Sequence, residues 1–260
     1  MLTVKPVKLA NLQDCTRLCV GSNLPPGLDS HAAVDMQRSK LAQFRQAGTA
    51  GGGALAAYRD AKQVGFLEYY PVEISPTPVA GKDLVIVHCV RIAEPAARSE
   101  ILGEILKAAE PLWSVRAGAC AIGRRKSWEE FGWEVVTQRR PPERGGDPQI
   151  LFLRKFRPEA EASFLPVTQD FPPVDPGKLR VDIFVSDHCP WNAFVFDRVR
   201  KAVASFGRPV QVREIPVRDR AAVEKHGVSS GVAINGKFVP VLRPNVLPDE
   251  RTIRRLLDEA

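Results

Sequence analysis

The sequence predicts a protein of mixed α/β (α+β) class, with two globular units joined by a proline-rich connector. Its 260 residues exceed the usual size of one domain, and its 44% hydrophobic and 26% charged residues are typical of chains that bury a core. Strand-type alternation and helix-type spacing follow one another on both sides of the connector. We expect a first unit at 1–157, the connector at 158–177 and a second unit at 178–260.

The connector is predicted from its prolines. Proline lacks a backbone donor and has a fixed φ, so neither a helix nor an inner strand continues easily through a proline-rich stretch. The prolines concerned are Pro158, Pro166, Pro172, Pro173 and Pro176.

The elements of the first unit follow from the period of its apolar residues, which is two in a half-buried strand and about 3.6 in a helix. Strands are predicted at 2–9, 53–59, 64–72, 83–92, 117–123, 133–138 and 149–155. Helices are predicted at 11–20, 32–46, 98–114 and 126–131.

The second unit shows a more compact alternation. Asn235-Gly236 is typical of a two-residue hairpin, and Asp249 is suited to cap a helix N-terminus. The order strand, helix, strand, helix, strand, strand, helix indicates a parallel pair joined by a crossover and followed by a hairpin. Strands are predicted at 179–185, 210–215, 231–234 and 237–242, and helices at 192–206, 219–226 and 249–259.

The net charge of +7 is spread along the chain. Divided at Pro172, the two parts carry excesses of +3 and +4, from 22 Lys+Arg against 19 Asp+Glu and from 15 against 11. Nucleic-acid binding would require a cationic stripe with interleaved aromatic residues, so a solvated basic surface is favoured. A small or acidic ligand remains compatible with this charge, and no nucleic-acid partner is expected.

Five cysteines, an odd number spread widely along the chain, indicate reduced thiols. Cys15 and Cys19 lie four residues apart, but no cluster with zinc-ligand spacing completes a site, so no metal is expected. No apolar run approaches the roughly 18 residues of a membrane span, and no apolar signal segment follows Met1. We therefore expect a cytoplasmic protein without a membrane partner.

The loop after the predicted strand 83–92 resembles the acyl-CoA-binding loop of the GNAT acyltransferase superfamily. In that family a proline precedes Gln/Arg-x-x-Gly-x-Gly/Ala, and here Pro95 precedes six residues whose first and last match. The resemblance implies that backbone amides of this turn hold the pyrophosphate of acetyl-CoA, the family's cosubstrate. The six residues are Arg98, Ser99, Glu100, Ile101, Leu102 and Gly103.

The segment 127–136 supports this resemblance, because it is in register with the family's Phe-Tyr-x-x-x-Gly-Phe motif. Gly132 and Trp133 follow the pattern, whereas Trp128 stands where the family has the tyrosine that protonates the leaving thiolate. Together the two segments imply a GNAT-like mixed sheet and transfer of an acyl group to an amine of a small molecule.

The resemblance also implies where the chemistry takes place. An amine that attacks a thioester needs a base, for which Glu68, Glu73 and His88 are candidates, with Glu68 and His88 preferred. Tyr70, or alternatively Tyr69, is the candidate acid. Solvation of Glu68, and ordinary core packing of His88 and Tyr70, remain open alternatives. The acyl carbonyl would be polarised by the strand backbone at Val90, Arg91 and Ile92.

The second unit resembles the glutaredoxin-like branch of the thioredoxin fold, in which the first strand leads into Cys-Pro-aromatic-Cys. The matching residues are Cys189, Pro190, Trp191 and Asn192, so the motif has no resolving thiol of its own. A thiol at a helix N-terminus, beside a protonated His188, is expected to have a lowered pKa. A retained scaffold residue without turnover is an equally open reading.

Taken together, the two units resemble GNAT proteins that carry a YoaP-like C-terminal domain. One function is an acyl-CoA-dependent N-acyltransferase with an accessory thioredoxin-like domain, which Arg98 and Gly103 favour. The alternative is a degenerate, non-enzymatic ligand-binding or thiol-sensing protein, which Ile101 and Trp128 favour. The transferase is preferred because a thiolate leaves readily without acid assistance.

Overall fold

The computed structural model describes residues 1–8, 11, 13–19, 38, 40–42, 44–45, 48–123, 128–140, 148–167, 171, 173–174, 177–186, 188–240 and 249–260. Within these residues the chain has the mixed α/β fold that the sequence predicts, with one seven-stranded and one four-stranded sheet.

The N-terminal part of the chain forms the seven-stranded sheet, with strand order β1-β2-β3-β5-β6-β8-β7. The helices whose bounds are described are α1 (Asp14–Arg17) and α2 (Arg98–Trp113). Its strands are β1 (Leu2–Pro6), β2 (Gly53–Arg59), β3 (Lys62–Pro71), β4 (Val79–Gly81), β5 (Leu84–Ile92), β6 (Gly118–Gly123), β7 (Glu134–Arg139), β8 (Gln149–Lys155) and β9 (Ala162–Phe164), of which β4 and β9 pair with each other apart from the main sheet.

Helix α2 crosses from β5 to β6, which are parallel, whereas the other described pairs of this sheet are antiparallel. The helix buries Ile101, Leu102 and Ile105 completely in the core beneath it. Gly65 on β3 gives the helix room, because a Cβ there would lie 2.6 Å from Ile101 Cγ2 and 2.9 Å from Ile105 Cδ1. The start of α2 is thereby held close to the sheet.

The C-terminal part forms the four-stranded sheet, with strand order β11-β10-β12-β13, and its elements follow one another as predicted. Strand β10 pairs in parallel with β11 and antiparallel with β12. The elements are β10 (Leu179–Val185), α3 (Pro190–Ala204), β11 (Val210–Pro216), α4 (Arg220–His226), β12 (Gly231–Ile234), β13 (Lys237–Phe238) and α5 (Glu250–Asp258).

Two local predictions in this part are confirmed. Asn235 and Gly236 have φ values of 46° and 79°, the left-handed pair that a tight hairpin requires, and they join β12 to β13. The Asp249 carboxylate accepts a hydrogen bond of 2.6 Å from the Thr252 backbone and caps α5.

Several predicted elements differ from the structure. The helix expected at 11–20 is only the short α1, and the one expected at 126–131 is a 3-10 turn, Glu129–Phe131. The helix expected at 32–46 falls largely outside the described residues, although those described between 38 and 45 are helical. The strand expected at 237–242 is described only as far as β13 and the residues just after it.

The connector is not uniformly irregular, because it contains β9, which pairs antiparallel with β4. The pattern analysis missed both strands, since three residues are too few to show an alternation.

Hydrogen bonds join the C-terminal part of the chain to the N-terminal part. Arg220 on α4 donates to the carbonyls of Val79 (2.9 Å) and Thr77 (3.3 Å). Among the described residues, no helix is long and apolar enough to span a bilayer.

Candidate functional site

A cleft opens in the seven-stranded sheet where β5 and β6 part. Their last pair is Val87 with Ala121, although β5 continues to Ile92 and β6 to Gly123. A second irregularity lies at the same level, because Glu68 pairs with Cys89 but Tyr69 pairs with Val87, so that β5 bulges at His88. The cleft has a volume of about 330 Å³ and is lined by Val87, His88, Cys89, Val90, Arg98, Ile122, Gly123 and Trp128.

The start of α2 forms one wall of the cleft through Arg98. Ile101, which could have crowded this turn, is instead completely buried in the core against Gly65. Leu102 is also fully buried, and Gly103 lies beside the Phe131 ring, to which a Cβ would approach within 3.3 Å. The first turn of α2 therefore presents backbone and Arg98 to the cleft, with its bulky residues turned inward.

Carboxylates surround the outer side of the same turn. Glu100 accepts two hydrogen bonds of 2.9 Å from Arg59, which also pairs with Glu94. Ser99 Oγ donates to both oxygens of the Glu130 carboxylate at 3.0 and 3.1 Å. An anion bound at this turn would thus meet Arg98 on one side and partly neutralised carboxylates on the other.

The three preferred catalytic candidates form one cluster at the cleft. Glu68 is fully buried; one of its carboxylate oxygens accepts a hydrogen bond from Tyr70 and the other from Lys40. The Tyr70 and His88 rings meet edge to face, with centroids 5.4 Å apart. Both carboxylate oxygens of Glu68 are thus hydrogen-bonded, and the Tyr70 hydroxyl points at Glu68. Of the three residues, only His88 lines the cleft.

His88 is held by Thr77, whose Oγ1 lies 2.9 Å from Nδ1 of the imidazole. Burial, reinforced by the charge on Lys40, lowers the pKa of His88 to about 3. The ring is therefore neutral at physiological pH. It can accept a proton or a hydrogen bond, but its affinity for the proton is low.

Lys40 links this cluster to the C-terminal part of the chain. Its ammonium pairs with Glu68 and also donates a hydrogen bond of 2.9 Å to the His188 carbonyl. The His188 ring lies 5.8 Å from the His88 ring, centroid to centroid. Burial, followed by the electrostatic effects of the neighbouring His88 ring and the Lys40 ammonium, lowers the pKa of His188 to about 3, so this ring too is neutral.

The three strand residues expected to polarise an acyl carbonyl are placed differently from one another. All three pair with β3 through their backbones. Val90 lines the cleft, the half-buried Arg91 is not among the residues that line it, and Ile92 packs against the core beneath α2. Only Val90 is therefore suitably placed to face a ligand in the cleft.

Cys189 occupies the N-cap of α3, as predicted, with Pro190 in the first helical position. The Trp191 backbone contacts the Cys189 thiol and favours its ionised form, but burial and the neighbouring Cys89 outweigh this and raise the pKa of Cys189. The prediction of a lowered pKa was therefore wrong. It considered only the helix terminus and a protonated His188, whereas the thiol is enclosed and His188 is neutral.

The sequence analysis did not identify Lys40, Thr77 or Cys89 as residues of this site. A lysine at helical spacing is usually solvated, and nothing local indicates that its partner is a strand carboxylate. The one available signal was Glu68 itself, a carboxylate in an otherwise apolar strand, which is rarely buried without a partner.

No protein-family model matches the chain, and no curated protein matches its sequence. Among solved structures, an aminoglycoside 6′-N-acetyltransferase from Enterococcus faecium is similar at a TM-score of 0.43 and 13% identity, covering 61% of this chain and 99% of its own. A GNAT family acetyltransferase from Brucella melitensis in complex with acetyl-CoA has a TM-score of 0.40 and 12% identity, covering 63% and 96%. An acetyltransferase of the GNAT family from Bacillus cereus has a TM-score of 0.42 and 13% identity, covering 60% and 97%.

Proposed function

We propose that the chain is an acyl-CoA-dependent N-acyltransferase that uses acetyl-CoA and acts on an amine of a small molecule in the cytoplasm. The observation that carries this proposal is the cleft between the diverging ends of β5 and β6, which is lined by both His88 and Arg98. Strand backbone, an uncharged imidazole and a guanidinium at a helix start are the groups that a thioester with a diphosphate tail requires.

Three features of the cleft support the binding of acetyl-CoA. Strand β5 no longer pairs with β6 at Val90, so its edge is available to a ligand that adds to the sheet there. Arg98 supplies a positive charge at the helix start, and the inward packing of Ile101 leaves the turn open. Bound there, acetyl-CoA would supply an acyl group activated for attack by an amine.

His88 is the residue we assign as proton acceptor, because it lines the cleft where Glu68 and Tyr70 do not. Thr77 fixes the orientation of its ring through Nδ1. Glu68 and Tyr70 act through position instead, since they hold Lys40 and pack against His88. Of the three candidates, we therefore assign His88 as the base and Glu68 and Tyr70 as positioning residues.

We further propose that residues 178–260 are a thioredoxin-like accessory unit of the YoaP-like type, joined by 158–177 to an acyltransferase unit at 1–157. Its order of elements and the position of Cys189 before α3 support this assignment. The accessory unit contacts the proposed active site, because the His188 carbonyl accepts a hydrogen bond from Lys40 in the cluster at the cleft.

Calorimetry with acetyl-CoA and chromatographic detection of released CoA test the proposal. We expect Arg98→Ala to weaken acetyl-CoA binding at least tenfold, while Arg157→Ala, an exposed arginine paired with Asp83, leaves it unchanged. We expect His88→Gln to lower turnover about 100-fold with little change in binding, as loss of a general base does. Absence of acetyl-CoA binding at millimolar concentration would refute the transferase.

A second function, binding without turnover, is favoured because neither Trp128, at the position of the family's acid, nor Tyr70, the predicted acid, offers a proton to the cleft. Trp128 lines the cleft, its indole is not an acid, and the Tyr70 hydroxyl is bound to Glu68. Acetyl-CoA binding that Arg98→Ala weakens, combined with no CoA release across a panel of primary amines and polyamines, would support this second function.

A further inference from the structure

The residues just before β4 form no strand, and their backbone has few donors of its own. Thr77 stands between Pro76 and Pro78, neither of which has an N–H group. The Thr77 N–H donates to Ser75 Oγ at 3.0 Å. Because buried carbonyls need partners, those of this segment depend on donors from elsewhere in the chain.

Three successive carbonyls of this segment accept hydrogen bonds from later parts of the chain. Arg220 Nη1 donates to the Thr77 carbonyl at 3.3 Å, and Nη2 donates to the Val79 carbonyl at 2.9 Å. Between them, the Pro78 carbonyl accepts from the Leu165 N–H at 3.0 Å. The position of Thr77 is therefore set by α4 and by the connector.

The Arg220 guanidinium is itself held in place. Its Nε donates to Glu224 at 2.8 Å, one turn along α4, and only 16% of the side chain is exposed. All three guanidinium nitrogens thus have an acceptor. A planar fork of this kind fixes two carbonyls at a set spacing, which a lysine ammonium does not.

Thr77 connects this segment to the proposed base. Its side chain is buried, and Oγ1 lies 2.9 Å from Nδ1 of His88. In a neutral imidazole one nitrogen carries the hydrogen, and the partner of that nitrogen sets which one it is. For Nε2 to accept a proton, Nδ1 must carry the hydrogen and donate it to Thr77 Oγ1. The location of Oγ1 therefore decides whether His88 can act as a base.

We propose that Arg220 is a positioning residue for His88. By holding the Thr77 and Val79 carbonyls it keeps the Thr77 hydroxyl on Nδ1, which leaves Nε2 to take the proton of the acceptor amine. In that reaction the bond from the amine nitrogen to the acyl carbon forms, the carbon–sulphur bond breaks, and the sulphur leaves as the thiolate of CoA. The catalytic role rests on the proposed acyl transfer, whereas the effect on the His88 ring does not.

Turnover and binding separate this role from a purely structural one. In the full chain we expect Arg220→Met to lower kcat for CoA release at least about fivefold, less than His88→Gln because the imidazole remains. The Kd of acetyl-CoA from calorimetry should change by less than about twofold.

The matched control is Arg200→Met, because the Arg200 guanidinium on α3 pairs with Glu214 on β11, 2.6 Å away. It should leave kcat and the Kd unchanged. Equal kcat values for the two variants, or loss of acetyl-CoA binding in Arg220→Met, would overturn the proposal.

Variants of Thr77 test whether Arg220 acts through this residue. Thr77→Val removes only the hydroxyl and should lower kcat at least as much as Arg220→Met, whereas Thr77→Ser keeps the hydroxyl and should retain most of the activity. The double variant Arg220→Met/Thr77→Val should be no slower than Thr77→Val, because both changes break the same contact. Losses that multiply in the double variant would overturn the proposal.

Nitrogen NMR of the imidazoles gives a readout that does not require turnover. The chain has four histidines, so the signal that His88→Gln removes belongs to His88. We expect the Nδ1–H tautomer in the unmodified chain and in Arg200→Met, and a mixture of tautomers in Arg220→Met. An Nε2–H tautomer in the unmodified chain, or the same His88 signal in Arg220→Met, would overturn the proposal. The expected spectra without any CoA release would refute the acyl transfer and uphold the control of the ring by Arg220.

If Arg220→Met does not fold, Arg220→Lys takes its place, because lysine keeps the charge without the fork. We expect kcat and the tautomer of His88 to change in the same directions as for Arg220→Met. Unchanged values of both in Arg220→Lys would overturn the proposal.

Discussion

Lys40 and Glu68 form an ion pair that is almost completely removed from solvent, with 2% and 0% of their surfaces exposed. Burial would lower the pKa of Lys40, but the combined attraction of Glu68 and Cys89 outweighs it and raises the pKa above its usual value, so the ammonium keeps its charge. The ammonium also reaches the His188 carbonyl. One cation thus ties together a helix, the central sheet and the segment before α3.

We predict that Lys40→Met destabilises the chain by about 3–5 kcal/mol, because the Glu68 carboxylate is left buried without a counter-charge. The double variant Lys40→Met/Glu68→Gln should recover a large part of this loss, since no buried charge then remains. Urea unfolding of the two single variants and the double variant measures the coupling.

The matched control is Lys107→Met, because Lys107 and Glu104 form an exposed pair 3.9 Å apart on α2. We expect this change to cost less than about 0.5 kcal/mol. Equal losses for Lys40→Met and Lys107→Met would show that Lys40 is solvated in solution.

The sequence could predict what is decided locally. The hairpin at Asn235 and the cap at Asp249 depend on neighbouring residues, and both were predicted correctly. The pairing of Lys40 with Glu68 depends on residues 28 positions apart in different elements, and no periodicity records it.

Cys189 shows that the sequence can predict the position of a residue correctly and its ionisation wrongly. Its position before α3 was readable from the sequence, whereas the burial that raises its pKa arises where α3 meets the cluster around Lys40 and Cys89. A local rule therefore gave the right place and the wrong direction of the shift.

We predict that stability falls as the pH drops below about 6.5, the ordinary pKa of histidine. His88 and His188 each have a folded-state pKa of about 3, so between pH 6.5 and 3 the unfolded chain binds protons that the folded chain does not. Each histidine then lowers the folding equilibrium constant up to tenfold per pH unit.

Urea unfolding at pH 7.5, 6.0 and 5.0 measures this effect. His88→Gln should reduce the slope of stability against pH by about half of the histidine contribution, while a change at His226, whose ring is less enclosed, should alter it less. A slope that is the same with and without His88 would contradict a neutral, buried imidazole.

Gly65 leads to a prediction about the start of α2. A methyl group there would meet Ile101 Cγ2 at 2.6 Å and Ile105 Cδ1 at 2.9 Å, so Gly65→Ala should cost about 1–3 kcal/mol through overpacking. The same displacement moves Arg98, and we expect acetyl-CoA binding to weaken. Gly48→Ala, where no atom lies within 4 Å of the added carbon, should change stability by less than about 0.5 kcal/mol.

The Gly65→Ala loss should be less than additive with Ile101→Ala, because removal of the isoleucine side chain relieves the closest clash. Strict additivity in the double variant would mean that the helix does not rest on Gly65 as described.

Two glycines with left-handed backbone conformations test whether the connector packs against the end of α4. Gly227 (φ 67°) ends α4, and a Cβ there would lie 1.9 Å from the Pro166 carbonyl oxygen, whereas Gly177 (φ 77°) has no atom within 4 Å of that position. Both alanine variants incur the left-handed strain of about 1 kcal/mol. Only Gly227→Ala also collides with backbone, so urea unfolding should show it at least about 2 kcal/mol less stable than Gly177→Ala. Equal losses would mean that Pro166 does not pack against the end of α4, and that the connector is held only by the β4–β9 pair.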